Sequence, residues 1–211
     1  MALVFPRDMA PGVRWKTPVL RQKFVQEVSR TRRGDLQAKD YGSFWIAEFT
    51  SVPLRLVAAE AAMADFDSLR GSVQPFFVTP THRPFPSAVT SAAALDGASP
   101  VIASIRADNS AITISGLPAG LELSRGDFLS IQTSVPGIEF FRLARGGIAD
   151  GAGVTPMLEL GQPLRPSVAR GDAITLVNPP VEMLMQPDGV EDRFISESHK
   201  TISFKAQQVI R

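Results

Sequence analysis

The sequence predicts a mainly β protein with one α-helix and a small closed barrel in its second half. Three observations predict it. Seventeen Pro and sixteen Gly, spread through 211 residues, cut the chain into short segments of the kind that β-rich folds join by tight turns. A single stretch, residues 51–71, carries apolar residues at helical spacing. From about residue 100, short alternating runs follow one another, each closed by Gly or Pro.

Taken in order, "VLRQKFVQEVSR" (19–30) reads as a strand with Leu20, Phe24 and Val28 on one side. The polar "TRRGDLQAKDYG" (31–42) reads as a long hairpin tip, and "SFWIAEF" (43–49) as the return strand. That strand is apolar on both faces, with Phe44 and Ile46 on one and Trp45, Ala47 and Phe49 on the other, so both need a cover. A helix supplies one cover; the other has to come from a second sheet or a neighbouring subunit. In "SVPLRLVAAEAAMADFDSLRG" Ser51 is the expected N-cap and Pro53 lies in the first turn. Leu56, Ala59, Met63 and Phe66 share a face and Gly71 ends the helix, giving a span of about 53–70.

In the second half, "VIASIRADNSAITIS" (101–115) reads as a hairpin in which Val101, Ala103 and Ile105 face Ile112 and Ile114. "GDFLSIQ", "EFFRLA", "VTPMLEL", "GDAITLV" and "VEMLMQ" follow as short strands. "QPDGVEDRF" (186–194) reads as a linker, after which "KTISFKAQQVIR" returns to the first domain as a strand. Arg-Gly-Asp occurs three times, at 33–35, 125–127 and 170–172. Aligning "SRGDFLSI" with "ARGDAITL" matches Leu129 and Ile131 to Ile174 and Leu176 as inward residues. The tripeptide is therefore a strand entrance: Gly takes a positive-φ position and Asp bonds the turn backbone. An adhesion signal needs an exposed tip. Only the copy at Arg33 is expected to be exposed, and it reads more simply as a charged, turn-forming tip.

Composition removes several function classes. Lys plus Arg number 22 against 21 Asp plus Glu, which lacks the basic excess of a nucleic-acid binder. There is no Cys, so disulfides, thiolate zinc sites and Cys nucleophiles are excluded. No apolar stretch approaches the roughly 20 residues of a membrane span, and "MALVFPRDMAPG" lacks the form of a signal peptide, so a soluble chain made in a cytoplasm is expected. His82, in "TPTHRPFP", and His199 have no local partner at metal-ligand or catalytic spacing. Asp65 with Asp67, and Glu191 with Asp192, read as solvated surface rather than a glycosidase pair. "RGGIADGAG" lacks the Lys-Ser/Thr of a phosphate loop and reads as a hairpin turn. Asp150, Asp188 and Asp192 show no calcium-loop spacing. Met157, Met183 and Met185 read as core filler. No catalytic residue, metal ligand or cofactor is expected. Basic residues gather early, from Arg7 to Lys39, as a solvated strand face or as a contact for an acidic partner subunit or passing DNA, the partner subunit being favoured over DNA because aromatic interleaving is absent there.

The run "FWIAEFTSVPLRLVAAEAAMADFDSLRGSVQPFFV", then "LDGASPVIASI", "GLELSRGDFLSI" and "FRLARGGIADGAGVTPMLELGQPLRPSVARGDAITLVNPPVEMLM", resembles the distal tail proteins of long-tailed bacteriophages. The resemblance covers the chain from about residue 40. It implies a tail-tube-like β-sandwich domain with one helix, from residues 1–95 and 187–211, and an inserted barrel like an oligonucleotide/oligosaccharide-binding fold at 96–186. It further implies a homohexameric ring in the virion tail, contacting the tail tube protein and hub proteins, with DNA only in transit and no membrane partner. No family residue carries a role over. The surplus apolar strand surface places Phe24, Trp45 and Phe49 as the expected interface between copies. An alternative is a carbohydrate-binding receptor module resting on Phe128, Phe140 and Phe141; a wall hydrolase has the least support.

Overall fold

The computed structural model describes residues 4–10, 12–16, 19–133 and 137–210, with the side chain of residue 188 outside that set. Strand makes up 47% of the chain and helix 8%, so the fold is mainly β, with a single helix and several sheets, one of them a small barrel. The chain divides into two compact units, Met1–Phe76 with Met183–Ile210, and Phe77–Glu182. The boundaries expected at 95/96 and 186/187 therefore lie earlier. Residues 77–95 belong with the barrel because Leu95 is part of its core and the Ser87 N–H donates to Asp127.

The first unit contains β1 (Arg7–Asp8), β2 (Val19–Arg30), β3 (Leu36–Thr50), β4 (Leu54–Arg55) and helix α1 (Leu56–Ser68). Strand β5 (Phe76–Val78) closes its first segment, β6 to β13 belong to the second unit, and β14 (Val181–Ser196) and β15 (His199–Gln208) complete the sheet. The sheet order is β1-β5-β14-β15-β3-β2, with β4 also on β15. The expected linker 186–194 is thus strand: β14 runs through it, with an irregularity in its pairing to β15 between Met185 and Val190.

Phe204 on β15 is the centre of this unit's aromatic core. It stacks on Phe49 at 4.8 Å and meets Trp15 at 5.1 Å, Phe66 of α1 at 5.2 Å and Phe76 at 6.0 Å. Helix α1 covers the sheet through Ala59, Ala62 and Phe66. Its start differs from expectation. Ser51 is fully buried in the sheet, where its N–H donates to the Ile202 carbonyl and its Oγ accepts the Ile202 N–H at 2.9 Å. With that hydroxyl engaged, Arg55 is the N-cap and the first turn is held by the Leu56 N–H donating to the Ser198 carbonyl.

The second unit is a closed barrel ordered β10-β12-β7-β6-β13-β9. Its strands are β6 (Val101–Ile105), β7 (Ala111–Ser115), β9 (Phe128–Gln132), β10 (Ile138–Arg145), β12 (Leu158–Leu160) and β13 (Ala173–Thr175); β8 (Glu122–Leu123) pairs separately with β11 (Gly147–Ile148). The β6–β7 hairpin forms, but an irregularity between Ile102 and Ser104 turns Ile102 inward in place of Val101 and Ala103.

The barrel is built twice over. Superposing the Arg-Gly-Asp turns makes Phe128 equivalent to Ala173 and Ser130 to Thr175, and Ser130 pairs with Thr175 across β9–β13. Phe128 pairs with Arg142 and Ala173 with Val101, so β10 corresponds to β6. Following the ladders outward makes Ile112 equivalent to Leu158, and these two also pair with each other. The bulges coincide as well, at Ala103 in β6 and Ala144 in β10. A pseudo-two-fold axis therefore relates two strand-strand-turn-strand halves. Leu129, Ile131, Ile174 and Leu176 point into the shared core with Ile112, Ile114, Phe141 and Leu158.

Candidate functional site: the long hairpin and its free edge

Strand β2 is the terminal strand of its sheet, paired to β3 on one side only among the described residues. The two form a hairpin of 12 and 15 residues. Its tip is shorter than the sequence led us to expect. Only Thr31–Asp35 turn, closed by Thr31 N–H to the Asp35 carbonyl and Gly34 N–H to the Thr31 carbonyl, and β3 begins at Leu36. The polar residues 36–42 are ladder, not loop.

Near the body the inner face holds Leu20 opposite Ala47 and Gln22 opposite Trp45, followed by Phe24 opposite Ser43. One extra residue on β3 is then absorbed at Tyr41–Gly42, where Gly42 has φ +104° and its N–H donates to Asp40 Oδ1. The bulge keeps the same face aligned, so Gln26, Val28 and Arg30 lie opposite Asp40, Ala38 and Leu36. Apolar residues thus recur on this face from the covered core out along the hairpin, and past the Gln22–Trp45 pair they are bare. Phe24 is 49% exposed, Val28 53% and Leu36 62%. The opposite face carries a laced polar surface. Tyr41 donates to Glu27 at 2.8 Å, which pushes its phenol pKa up, and Lys39 lies 5.1 Å from the Tyr41 ring. Nearer the body, Arg21 bonds Glu48 and Lys23 lies over Phe44.

Of the three residues expected at an interface, only Phe24 is available. Trp45 and Phe49 are 0% and 4% exposed, covered within their own chain; Trp15, Phe66 and Phe204 surround Phe49 or one another in the same aromatic cluster. The expectation that they meet a neighbouring copy is corrected: both side chains are buried within their own chain, Phe49 against Trp15 and Phe204. Val28 and Leu36 are the exposed apolar residues that share a face with Phe24. The alternation of Leu36 and Ala38 was the available signal, hidden by the polar Gln37 between them and the charged Asp35, Lys39 and Asp40 on either side.

The remaining candidates are accounted for locally. His199 Nδ1 lies 2.9 Å from Ser198 Oγ in an exposed turn. Asp65 binds Arg7, and Asp192 shares Lys200 with Glu60. Asp150 Oδ1 accepts the N–H groups of Ala152 and Val154, as a turn residue should. The Asp188 side chain lies outside the described residues. No group of three His, Asp or Glu that could hold a metal exists among the described residues. Met183 and Met185 are core, whereas Met157 is 39% exposed. Phe128, Phe140 and Phe141 are buried, which withdraws the aromatic faces on which a sugar would stack. No helix is long and apolar enough to cross a membrane among the described residues.

Comparison with known proteins adds no assignment: no protein-family model matches the chain, and no curated protein is significantly similar to it.

Proposed function

We propose that the chain is a structural subunit of a phage tail. Copies close into a ring, a hexamer, at the distal end of the tail, joining the tube to the hub and leaving a conduit for DNA. One observation carries this reading: a long, unpaired edge strand whose apolar inner face continues the core row outward as Phe24, Val28 and Leu36. A bare edge of that length is a template for pairing with another strand, and a closed ring consumes such edges in a way that a free monomer does not. Full burial of each such side chain contributes about 1.5–3 kcal/mol. The resemblance to distal tail proteins supplies the setting, and the buried barrel aromatics weaken the sugar-binding alternative.

Electron microscopy and light scattering of the purified chain, alone and mixed with tail tube and hub proteins, provide the test. The expected result is an annulus with an opening wide enough for duplex DNA, lost in Val28→Asp or Leu36→Asp while the sheet stays folded. A chain that stays monomeric with all of these partners would overturn the reading.

A further inference from the structure

We propose that the crevice beside the end of β13 takes an extended, uncharged segment of a partner protein, added as a short antiparallel strand against Thr175–Val177. The proposal is independent of ring assembly and concerns the barrel unit alone. It comes from comparing the two halves of the duplicated barrel. In the first half β9 and β10 pair continuously, from Arg142 opposite Phe128 to Ile138 opposite Gln132. In the second half the same pairing stops early. Ala173 lies opposite Val101, the Ile174 N–H donates to the Pro100 carbonyl at 2.8 Å, and there the ladder ends.

A proline is the cause. The superposition puts Pro100 at the place of Phe141, and Pro has no N–H to return to the Ile174 carbonyl. The chain before it leaves the sheet: the Ser99 N–H donates to the Gly116 carbonyl, the Ala98 N–H to the Leu95 carbonyl, and the turn Ala92–Leu95 sends Leu95 into the barrel core. Ile131 therefore has Glu139 opposite it, while its equivalent Leu176 has no strand opposite. Alternate residues of a strand aim their backbone groups to the same side, so Leu176 presents its N–H and C=O on the side where Ile174 bonds Pro100. Leu176 is only 4% exposed, yet neither group has a hydrogen-bond partner among the described residues. A buried backbone pair left open in this way asks for a donor and an acceptor.

Beside it lies a crevice of about 170 Å³, with Leu95, Ala98 and Pro100 on one wall and Ile174–Val177 on the other. Thr175 is exposed and Ala98 half-buried at its mouth, so solvent reaches it. These features fix the chemistry of the occupant. One residue of an extended backbone supplies both the acceptor and the donor that Leu176 lacks. The first half of the barrel shows the arrangement complete, with Ile138, Glu139 and Phe140 in the equivalent positions. There the Glu139 carboxylate is held by Arg165, bidentate at 2.7 and 2.9 Å. The residues lining the crevice include no such cation, so the residue placed opposite Leu176 has to be uncharged and apolar.

The test is a titration of the methyl-labelled full chain with the peptide acetyl-Ser-Val-Ser-amide, following the Leu95, Leu176 and Val177 methyl groups by NMR. Their shifts should saturate below about 10 mM peptide. The same peptide methylated on its valine nitrogen loses the donor to the Leu176 carbonyl, and acetyl-Ser-Asp-Ser-amide brings a charge to the apolar walls; each should bind at least about tenfold more weakly. Ala98→Leu fills the crevice and should abolish the response, with assembly by light scattering unchanged. No saturable shift at these methyls, or equal responses to the three peptides, would overturn the site. Shifts that arise on concentrating the chain without peptide would give the crevice to a second copy and overturn the assignment to a partner protein. Should Ala98→Leu fail to fold, the comparison of the three peptides on the unaltered chain decides alone.

Discussion

Two turns in the barrel have the same sequence and the same backbone but live in different surroundings. In Ser124–Asp127 and in Ala169–Asp172 the Gly sits at φ +90° and +92°. In both, the Asp N–H donates to the carbonyl three residues back, and the Asp Oδ2 accepts that residue's N–H at 2.8 Å. Beyond that they part. Asp127 is fully buried and also holds the Ser87 N–H and faces Arg83, whereas Asp172 is half-buried and serves its own turn. Local chemistry thus makes the turn, and the cover laid over it decides how much the turn contributes.

The largest expected effect separates the two carboxylates. Asp127→Ala removes a fully buried carboxylate that accepts two part-buried N–H groups and is the ion-pair partner of the partly exposed Arg83, and should destabilise the barrel by about 2–4 kcal/mol. Both Trp residues, Trp15 and Trp45, lie in the first unit, so fluorescence follows that unit and the barrel must be read by amide exchange or by NMR in urea. A loss under about 1 kcal/mol would show that burial adds nothing to the turn.

The glycines should behave as a matched pair. Gly126→Ala and Gly171→Ala each force a left-handed backbone on an L side chain, at a cost of about 1–2 kcal/mol. The new methyl at 126 meets only the mobile end of Arg83, and at 171 nothing within 4 Å, so space does not separate them. A difference between the two beyond about 1 kcal/mol would break the claim that their backbones do the same work. Asp172→Ala comes next, at about 0.5–1 kcal/mol, since the one turn N–H it frees can turn to water.

Sequence reasoning reached the parts of the fold that are settled within a few residues. The barrel turns, the inward Leu129, Ile131, Ile174 and Leu176, the position of α1 and the return of residues 199–208 to the sheet all follow from spacing and turn chemistry. It failed where a residue's partner is distant. Ser51 has the local look of an N-cap, yet its hydroxyl is taken by Ile202. Phe49 looks like surplus surface because Trp15 and Phe204, which pack against it, are far away in the chain, and Trp45, whose N–H donates to Gln208 Oε1, is likewise buried by distant parts of the chain. The duplication was visible only as a shared tripeptide, because its proof lies in which residues pair across β9–β13 and β7–β12. The β2 side of the hairpin's apolar row, Leu20, Phe24 and Val28, was legible, but its β3 side was not: the bulge at Gly42 shifts the alternation by one, so Leu36 and Ala38 join the face of Trp45 only after it is counted.

The third copy of the tripeptide extends the comparison to its limit. Arg33, Gly34 and Asp35 are all exposed at the hairpin tip, Gly34 has φ +89°, and the Asp35 N–H donates to Thr31 Oγ1 at 3.2 Å. Here the Asp backbone, not its carboxylate, makes the principal contacts, and no cover lies over the turn. Asp35→Ala should therefore change stability by less than about 0.5 kcal/mol, measured by Trp fluorescence in urea, which follows this unit. Asp127, Asp172 and Asp35 would then form a descending series ordered by burial with one tripeptide held constant. A loss at Asp35 as large as that at Asp127 would mean that the motif stabilises through its own bonds wherever it occurs, and that the buried surroundings of Asp127 are incidental.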